Sequence, residues 1–172
     1  MLGKLRRYIE RAAKRRGLGG QAGVEAPDKK ESGPHAERAA AKILIVEDNP
    51  ELSWLLGERL KAEGYETRTA ESGAAGIKAA LNFLPDLMLL DYNLGDMTGH
   101  DVAVALRNTL KTAGVPFLVL SAHGADPMLA RGFAKLPNCR GAMSKVLSTR
   151  EVVKAVEQAL RPGTKAAAHP RH

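Results

Sequence analysis

Carboxylates stand at the ends of two apolar segments, where their charge could do chemistry. The segment ILIVEDNP, residues 43–50, places Glu47 and Asp48 directly after four aliphatic residues, and LMLLDYNLGDMTG, residues 87–99, places Asp91 after four apolar ones. Three carboxylates that share one crevice repel each other, so either their pKa values rise or a cation compensates them. Hard oxygen ligands suit Mg²⁺, which takes one or two protein carboxylates together with phosphate oxygens.

Two further segments would bring a hydroxyl group and a positive charge to the same place. FLVLSA, residues 117–122, leads to Ser121, and MSK, residues 143–145, ends in Lys145. With the acids, these groups would form a small pocket for a doubly charged oxyanion held against a metal. A carboxylate in such a pocket can itself be the nucleophile and form an acyl phosphate. We therefore predict that Asp91 is phosphorylated.

Five strand-like segments alternate with helix-like ones, which predicts an α/β domain. The strands are expected at Ile43–Val46, Tyr65–Ala70, Leu87–Leu90, Phe117–Leu120 and Cys139–Met143. The first, third and fourth are unbroken apolar segments, typical of strands covered on both faces, whereas the second and fifth carry polar residues that suit sheet edges. This pattern predicts a flavodoxin-like, doubly wound parallel sheet of five strands in the order 2-1-3-4-5, with helices on both faces. The carboxyl ends of parallel strands meet at one edge, so the groups named above should converge.

Polar residues at the expected N-caps support the five intervening helices. The starts are expected at Asn49-Pro50, Ser72, Thr98, Asp126-Pro127 and Ser148, with Glu151 completing a capping box in the last.

The net charge of +7 belongs to the two ends of the chain. Residues 1–16 contribute +6 and residues 161–172 contribute +3, whereas residues 17–41 and 42–160 contribute −1 each. Residues 17–41 are rich in Gly, Ala and charged residues without apolar periodicity, which predicts a flexible linker. We expect one folded domain at residues 42–160 and a basic, disordered tail at 161–172. The single cysteine excludes an internal disulfide and a multi-cysteine metal site.

The first sixteen residues form a basic amphipathic segment with Leu2, Leu5 and Ile9 on one helical face. One interpretation is a frayed, solvated helix. The other is a clamp on an acidic partner or a weak, salt-sensitive contact with an anionic membrane. Nucleic acid could be bound only through its phosphates, because nothing here would read bases, so no sequence-specific nucleic-acid partner is expected. No apolar segment is long enough to cross a bilayer, and we expect a cytoplasmic protein, with peripheral membrane contact as an option.

The four segments quoted above, in their order and spacing, resemble a response-regulator receiver domain over residues 42–160. The resemblance implies that Asp91 accepts a phosphoryl group from a phosphohistidine on a histidine kinase or a histidine phosphotransfer protein. It also implies Mg²⁺ as the cofactor, with Asp48, Asp91 and the Asn93 carbonyl as direct ligands and Glu47 acting through water.

The resemblance further implies roles for the groups around the phosphoryl oxygens. Ser121 would be the hydroxyl that follows the phosphoryl group, Ala122 would offer its backbone N–H, and Lys145 would pair with a phosphoryl oxygen. Asn93 and His123 would tune the lifetime of the acyl phosphate, in a direction that the sequence does not fix.

Three positions depart from the usual pattern of such domains. Ala142 stands where receivers usually have the aromatic residue that moves on activation, Val146 replaces the proline after the lysine, and Gly95 replaces the proline of DxxxP receivers. The usual coupling of the hydroxyl to an aromatic side chain is therefore in question.

The expected function is that of a phosphorylation-controlled receiver of a two-component phosphorelay, which docks onto an unknown downstream protein or acts as a phosphate sink. The alternative is a pseudo-receiver scaffold that binds a partner without phosphorylation. We do not expect an enzyme, because an aspartyl phosphohydrolase usually needs a second acid two residues after the nucleophile, where this chain has Asn93.

Overall fold

The structure is a computed structural model that describes residues 40–122, 131–133, 135–146 and 148–161. These residues lie in one compact unit, Arg38–His172. The strands within them are β1 (Lys42–Val46), β2 (Glu66–Ala70), β3 (Leu87–Asp91), β4 (Phe117–Ser121) and β5 (Cys139–Ser144). The helices within them are α1 (Pro50–Ala62), α2 (Gly73–Phe83), α3 (Gly99–Arg107) and α4 (Thr149–Ala159).

The strands form one parallel sheet in the order β2-β1-β3-β4-β5, which confirms the predicted order and its two edges. Every residue of β3 and β4 is buried, as the unbroken apolar segments predicted. Both strands run one residue beyond the predicted end, so that Asp91 and Ser121 are their last residues. Asp91 pairs with Leu120 and Ser121 with Ser144, and the sheet therefore holds the backbone of both polar residues.

Helices cover both faces of the sheet, as predicted. One layer of the core joins alternate strand residues to α1 and α4 through Ile45, Leu89, Leu60, Val152 and Val156. The other layer joins the remaining strand residues to α2 and α3 through Val46, Leu90, Ala80, Val102 and Leu106. Because successive strand residues face opposite layers, a strand buried on both faces must be apolar throughout. Among the described residues, no helix has the length and apolar character needed to cross a membrane.

Local hydrogen bonds cap the described helices at the predicted residues. Asn49 Oδ1 accepts from the Leu52 N–H at 3.0 Å, and Ser72 Oγ accepts from the Ala75 N–H at 3.2 Å. Thr98 and Ser148 form capping boxes at the starts of α3 and α4. The predicted helix start at residues 126–127 lies outside the described residues, although residues 131–133 are helical.

The acids of the two capping boxes should make stability depend on pH. Hydrogen bonds from Thr98 lower the pKa of Asp101, and hydrogen bonds from Ser148 lower the pKa of Glu151 below its usual 4.5. A carboxyl group with a lower pKa in the folded chain adds stability above its unfolded pKa and loses it as the pH falls through the folded pKa. We therefore expect the free energy of unfolding, measured by urea titration without Mg²⁺, to fall from about pH 5 to about pH 3.

Glu151→Gln should make that decline shallower, because glutamine can complete a capping box but does not titrate. Glu157→Gln removes one exposed acid from the same helix and serves as the control for loss of charge. A Glu151→Gln variant whose stability falls as steeply as that of the wild type would show that this box does not contribute to the pH dependence.

Candidate functional site

Three carboxylates meet beyond the carboxyl ends of the neighbouring strands β1 and β3. Glu47 and Asp48 follow β1 and Asp91 ends β3, and ligand oxygens of the three side chains lie within 4.8 Å of one another. Glu47 is fully buried, Asp91 is 2% exposed and Asp48 faces solvent. The cluster therefore has a buried wall and a side that is open to an incoming group.

The side chain of Lys145, which follows β5, reaches both buried acids. Its Nζ lies 2.8 Å from Glu47 Oε1, as a hydrogen bond, and 2.6 Å from Asp91 Oδ2, as an ion pair without hydrogen-bond alignment. Burial alone would lower the pKa of Lys145, but its contacts with Asp91 and Glu47 and their charges outweigh burial and raise it. The ammonium group is therefore held in its charged form opposite the acids.

Glu47 is the most enclosed of the acids. Burial raises the pKa of its carboxyl group, and the charge of Asp91 adds to this, against the hydrogen bond from Lys145. Its Oε1 also accepts from the Asn49 N–H at 3.2 Å, whereas Oε2 is buried and has no hydrogen-bond partner among the described residues. An unpaired buried oxygen is costly unless water or an ion meets it. The carboxylate oxygens of the cluster, including this unpaired Oε2, are the kind of ligand that a hard divalent cation such as Mg²⁺ prefers.

The ends of β4 and β5 line the other side of the crevice. Ser121 is buried at the end of β4, and Ala122 follows it at the surface. The Lys145 N–H donates to the Ser121 carbonyl at 2.8 Å, and the Tyr92 N–H donates to the Leu120 carbonyl at 2.9 Å. Through these two bonds, β4 is connected on one side to Tyr92, the residue after Asp91, and on the other side to Lys145.

Two more of the predicted residues lie in the loops after β3 and β4. The Asn93 N–H donates to Asp91 Oδ1 at 3.2 Å, so this backbone adjoins the acid cluster. His123 lies outside the described residues. The structure thus brings Glu47, Asp48, Asp91, Asn93 and Lys145 together, with Ser121 and Ala122 on the neighbouring strand end.

The three departures noted in the sequence have distinct surroundings. Ala142 is partly buried against the α2–α3 layer, opposite Val119 in the sheet register. Val146 is 81% exposed. Gly95 has a φ of +72°, whereas a proline ring fixes φ at about −65°, so proline would not fit this loop conformation.

An aromatic cluster near the acid site was not predicted from the sequence. Phe133 packs edge to face against Tyr92, His100 and Phe117, at centroid distances of 6.4, 5.4 and 5.7 Å. Tyr92 directly follows Asp91, so the cluster adjoins the acid site on the side of α3. Its members come from four separate parts of the chain, and nothing local in the sequence marks them as neighbours.

Two close contacts of the β3–α3 loop were also missed. A Cβ on Gly99 would lie 2.3 Å from the Asp91 carbonyl oxygen, so α3 begins directly against the backbone of the acid. Asp96 accepts hydrogen bonds from the Gly73 and Ala74 N–H groups of α2. The sequence offers one sign of the first contact, a glycine directly after the Thr98 cap. A glycine at that position does not by itself show which atoms it approaches.

Comparison with known proteins identifies the class. The response regulator receiver domain matches residues 43–157, and the chain belongs to this family. The transcriptional regulatory protein GlrR of Escherichia coli (strain K12) is 38% identical over 87 residues, covering 51% of this chain and 19% of that protein. The phosphate regulon transcriptional regulatory protein PhoB of Rhizobium meliloti (strain 1021) is 34% identical over 120 residues, covering 70% and 52%. The chain thus spans from about a fifth to about half of these curated relatives.

Solved structures support the same fold. The chemotaxis response regulator CheY4 of Vibrio cholerae gives a TM-score of 0.66 at 23% identity, covering 70% of this chain and 99% of that one, and supports the fold alone. A putative response regulator from Chloroflexus aurantiacus J-10-fl gives a TM-score of 0.65 at 26% identity, covering 71% and 98%.

Proposed function

We propose that this chain is a phosphorylation-controlled receiver of a two-component phosphorelay, and that Asp91 accepts the phosphoryl group. The donor would be a phosphohistidine on a histidine kinase or a histidine phosphotransfer protein. The observation that carries the proposal is the position of the Lys145 ammonium group, which lies 2.6 Å from Asp91 and 2.8 Å from Glu47. A buried acceptor with a fixed cation beside it and an open acidic side is suited to phosphoryl transfer.

The transfer step conserves atoms and charge without a further reactant. An Asp91 carboxylate oxygen attacks phosphorus and forms the P–O bond of an acyl phosphate. The P–N bond of the donor breaks, its electron pair stays on nitrogen, and the ring, protonated on its other nitrogen, leaves as neutral imidazole. Mg²⁺, when bound, would neutralise charge on the phosphoryl oxygens. Lys145 would pair with one of those oxygens, and the Ser121 hydroxyl and Ala122 N–H would contact another.

The cation would be held by Asp48, Asp91 and the Asn93 carbonyl, with Glu47 acting through water. Asn93 and Thr98 form an antiparallel bridge flanked by bonds from Gly99 N–H to the Tyr92 carbonyl and from Leu94 N–H to the Met97 carbonyl. In such a non-hydrogen-bonded pair, each residue directs its own N–H and C=O away from its partner. The Asn93 N–H donates to Asp91 Oδ1. Because the Asn93 carbonyl points to the same side of the backbone as this N–H, the bond supports the proposal that the carbonyl faces the acid cluster.

Incubation with Mg²⁺ and acetyl phosphate tests the acceptor. Intact-mass analysis of the full chain should show the mass of one added phosphoryl group, absent in Asp91→Asn and absent when EDTA removes the metal. Asp86→Asn changes an exposed acid at the opposite end of β3 and should still be phosphorylated. A wild-type chain that gains no phosphoryl group from acetyl phosphate or from any phosphohistidine donor would reject the mechanism.

A pseudo-receiver scaffold is the second candidate, and the small, partly buried Ala142 favours it. Without an aromatic side chain there, the usual readout of the phosphoryl group is missing. This candidate predicts that Mg²⁺ and beryllofluoride do not bind and that Asp91→Ala retains partner binding.

We propose protein docking, or drainage of phosphoryl groups from a kinase, as the way the receiver signals. The transcriptional roles in the relatives' names belong to longer proteins, of which this chain covers 19% and 52%. The basic segment at residues 1–16 lies outside the described residues, and its weak contact with an anionic membrane stays a proposal.

A further inference from the structure

The loop between β3 and α3 is fastened to the start of a different helix. Asp96 Oδ1 accepts from the Gly73 N–H at 2.8 Å, and Oδ2 accepts from the Ala74 N–H at 3.0 Å. These are among the N–H groups that a helix leaves unpaired at its start, where the helix dipole also favours a negative charge. Helix α2 therefore has two caps, its own Ser72 and a carboxylate from the loop that follows Asp91.

A packing contact joins the same loop and helix. A Cβ on Gly73 would lie 2.3 Å from Met97 Cγ and 2.7 Å from Met97 Sδ, so only glycine allows the loop to approach this closely without movement of Met97. Two successive loop residues, Asp96 and Met97, thus contact Gly73. The loop and the start of α2 are therefore joined by a packing contact as well as by the hydrogen bonds of Asp96.

The fastened loop also carries the backbone of Asn93. The Asn93–Thr98 bridge closes the loop, and the Asp96 N–H donates to the Leu94 carbonyl at 2.8 Å within it. Gly95 forms the tip in a left-handed conformation, with a φ of +72°. Glycine allows more backbone conformations than other residues, so a loop with glycine at its tip is less restrained by its own backbone. The hydrogen bonds from Asp96 to α2 therefore restrict Asn93 more than they would in a stiffer loop.

We propose that Asp96 is a positioning residue that holds the Asn93 carbonyl at the acid cluster and so sets the affinity of the site for Mg²⁺. The inference rests on the proposed function, because it assigns a role at that cation site. Asp96 replaces the restraint that a proline at position 95 would give, since the loop takes a φ that proline does not adopt. It acts through hydrogen bonds to α2 and does not itself bind the cation.

Calorimetric Mg²⁺ titrations of the full chain test this proposal. Asp96→Ala should weaken Mg²⁺ binding about tenfold, the lower end of the effect of losing a group that orients a metal ligand. Ser72→Ala removes the other cap of α2, whose Oγ accepts from the Ala75 N–H, without touching the loop. It should lower the melting temperature measured in EDTA but leave the Mg²⁺ dissociation constant within about twofold, because no ligand loses its support.

Asp96→Asn provides an intermediate variant, because one amide oxygen can replace only one of the two carboxylate acceptors. Its dissociation constant should lie between those of wild type and Asp96→Ala, and it decides the question if Asp96→Ala does not fold. Loss of stability with unchanged Mg²⁺ affinity in the Asp96 variants would show a helix cap only and overturn the proposal. A wild type that binds no Mg²⁺ is a different result, which rejects the proposed function and this inference with it.

Discussion

Lys145→Met should lower the free energy of unfolding of the Mg²⁺-free protein by about 3 kcal/mol at pH 7. The lysine is 21% exposed, and the Glu47 and Asp91 side chains that it contacts are 0% and 3% exposed. Methionine nearly preserves the length of the side chain but leaves two buried carboxylates without a cation. Removing one partner of a buried ion pair is costly because the remaining charge stays desolvated. Loss of the lysine also removes a hydrogen bond that lowers the pKa of Glu47, so that pKa should rise further in the variant.

Urea titrations in EDTA and in Mg²⁺ measure this effect. Lys154→Met removes an exposed lysine from α4 and should change stability little. Mg²⁺ should recover more stability in Lys145→Met than in wild type, because the variant pocket is more negative and a ligand stabilises in proportion to RT ln(1 + [L]/Kd). A Lys145→Met protein as stable in EDTA as the wild type would mean that the lysine does not pair with the buried acids.

The strand order and the acid cluster could be predicted because each depends on a local pattern. Unbroken apolar segments distinguish central strands from edges, and the geometry of a parallel sheet brings the strand ends together. The sequence therefore predicts that Glu47, Asp48 and Asp91 lie at one edge of the sheet. The sequence did not show that Glu47 is fully buried and Asp48 exposed. Successive residues at a strand end face opposite sides, and only packing decides which side is closed.

The strand ends show where local patterns fail. Asp91 and Ser121 are polar and were expected to follow their strands, yet both are the last strand residues. The register explains the difference, since Asp91 pairs with Leu120 and Ser121 with Ser144. Pairing with a neighbouring strand thus extends each strand through a polar residue, although the type of that residue predicts that the strand ends before it.

Contacts between distant segments could not be predicted where neither a local pattern nor the geometry of the sheet fixes them. The Asp96 carboxylate and the Gly73 N–H are 23 positions apart in the chain, and the Phe133 cluster joins residues from several elements. Asp96 is exposed and lies outside any apolar pattern, so the sequence gives no reason to distinguish it from an ordinary acidic residue of a loop. Its hydrogen bonds to α2 nevertheless lower its pKa, as expected for a carboxylate at a helix start.

Gly99→Ala should both destabilise the protein and impair phosphorylation, although alanine is the better helix former. Gly99 is the first residue of α3, where helix propensity would favour alanine by at most about 1 kcal/mol. The added methyl group would lie 2.3 Å from the Asp91 carbonyl oxygen and 3.1 Å from Leu90 Cγ. The nearest atom belongs to the backbone of a central strand, where Asp91 pairs with Leu120 of β4, and it cannot rotate away as a side chain would. Overpacking of this kind costs about 1–3 kcal/mol or more, so the clash exceeds the gain.

The clash can be relieved only if α3 moves away or the end of β3 shifts, and either movement displaces Asp91 relative to Lys145. We therefore expect a loss of about 2 kcal/mol in urea titrations, together with slower phosphorylation by acetyl phosphate. Gly114→Ala is the matched control, because a Cβ there meets no atom within 4 Å and should leave both measurements near wild type. A Gly99→Ala variant that equals the wild type in both would show that α3 does not press on the backbone of Asp91.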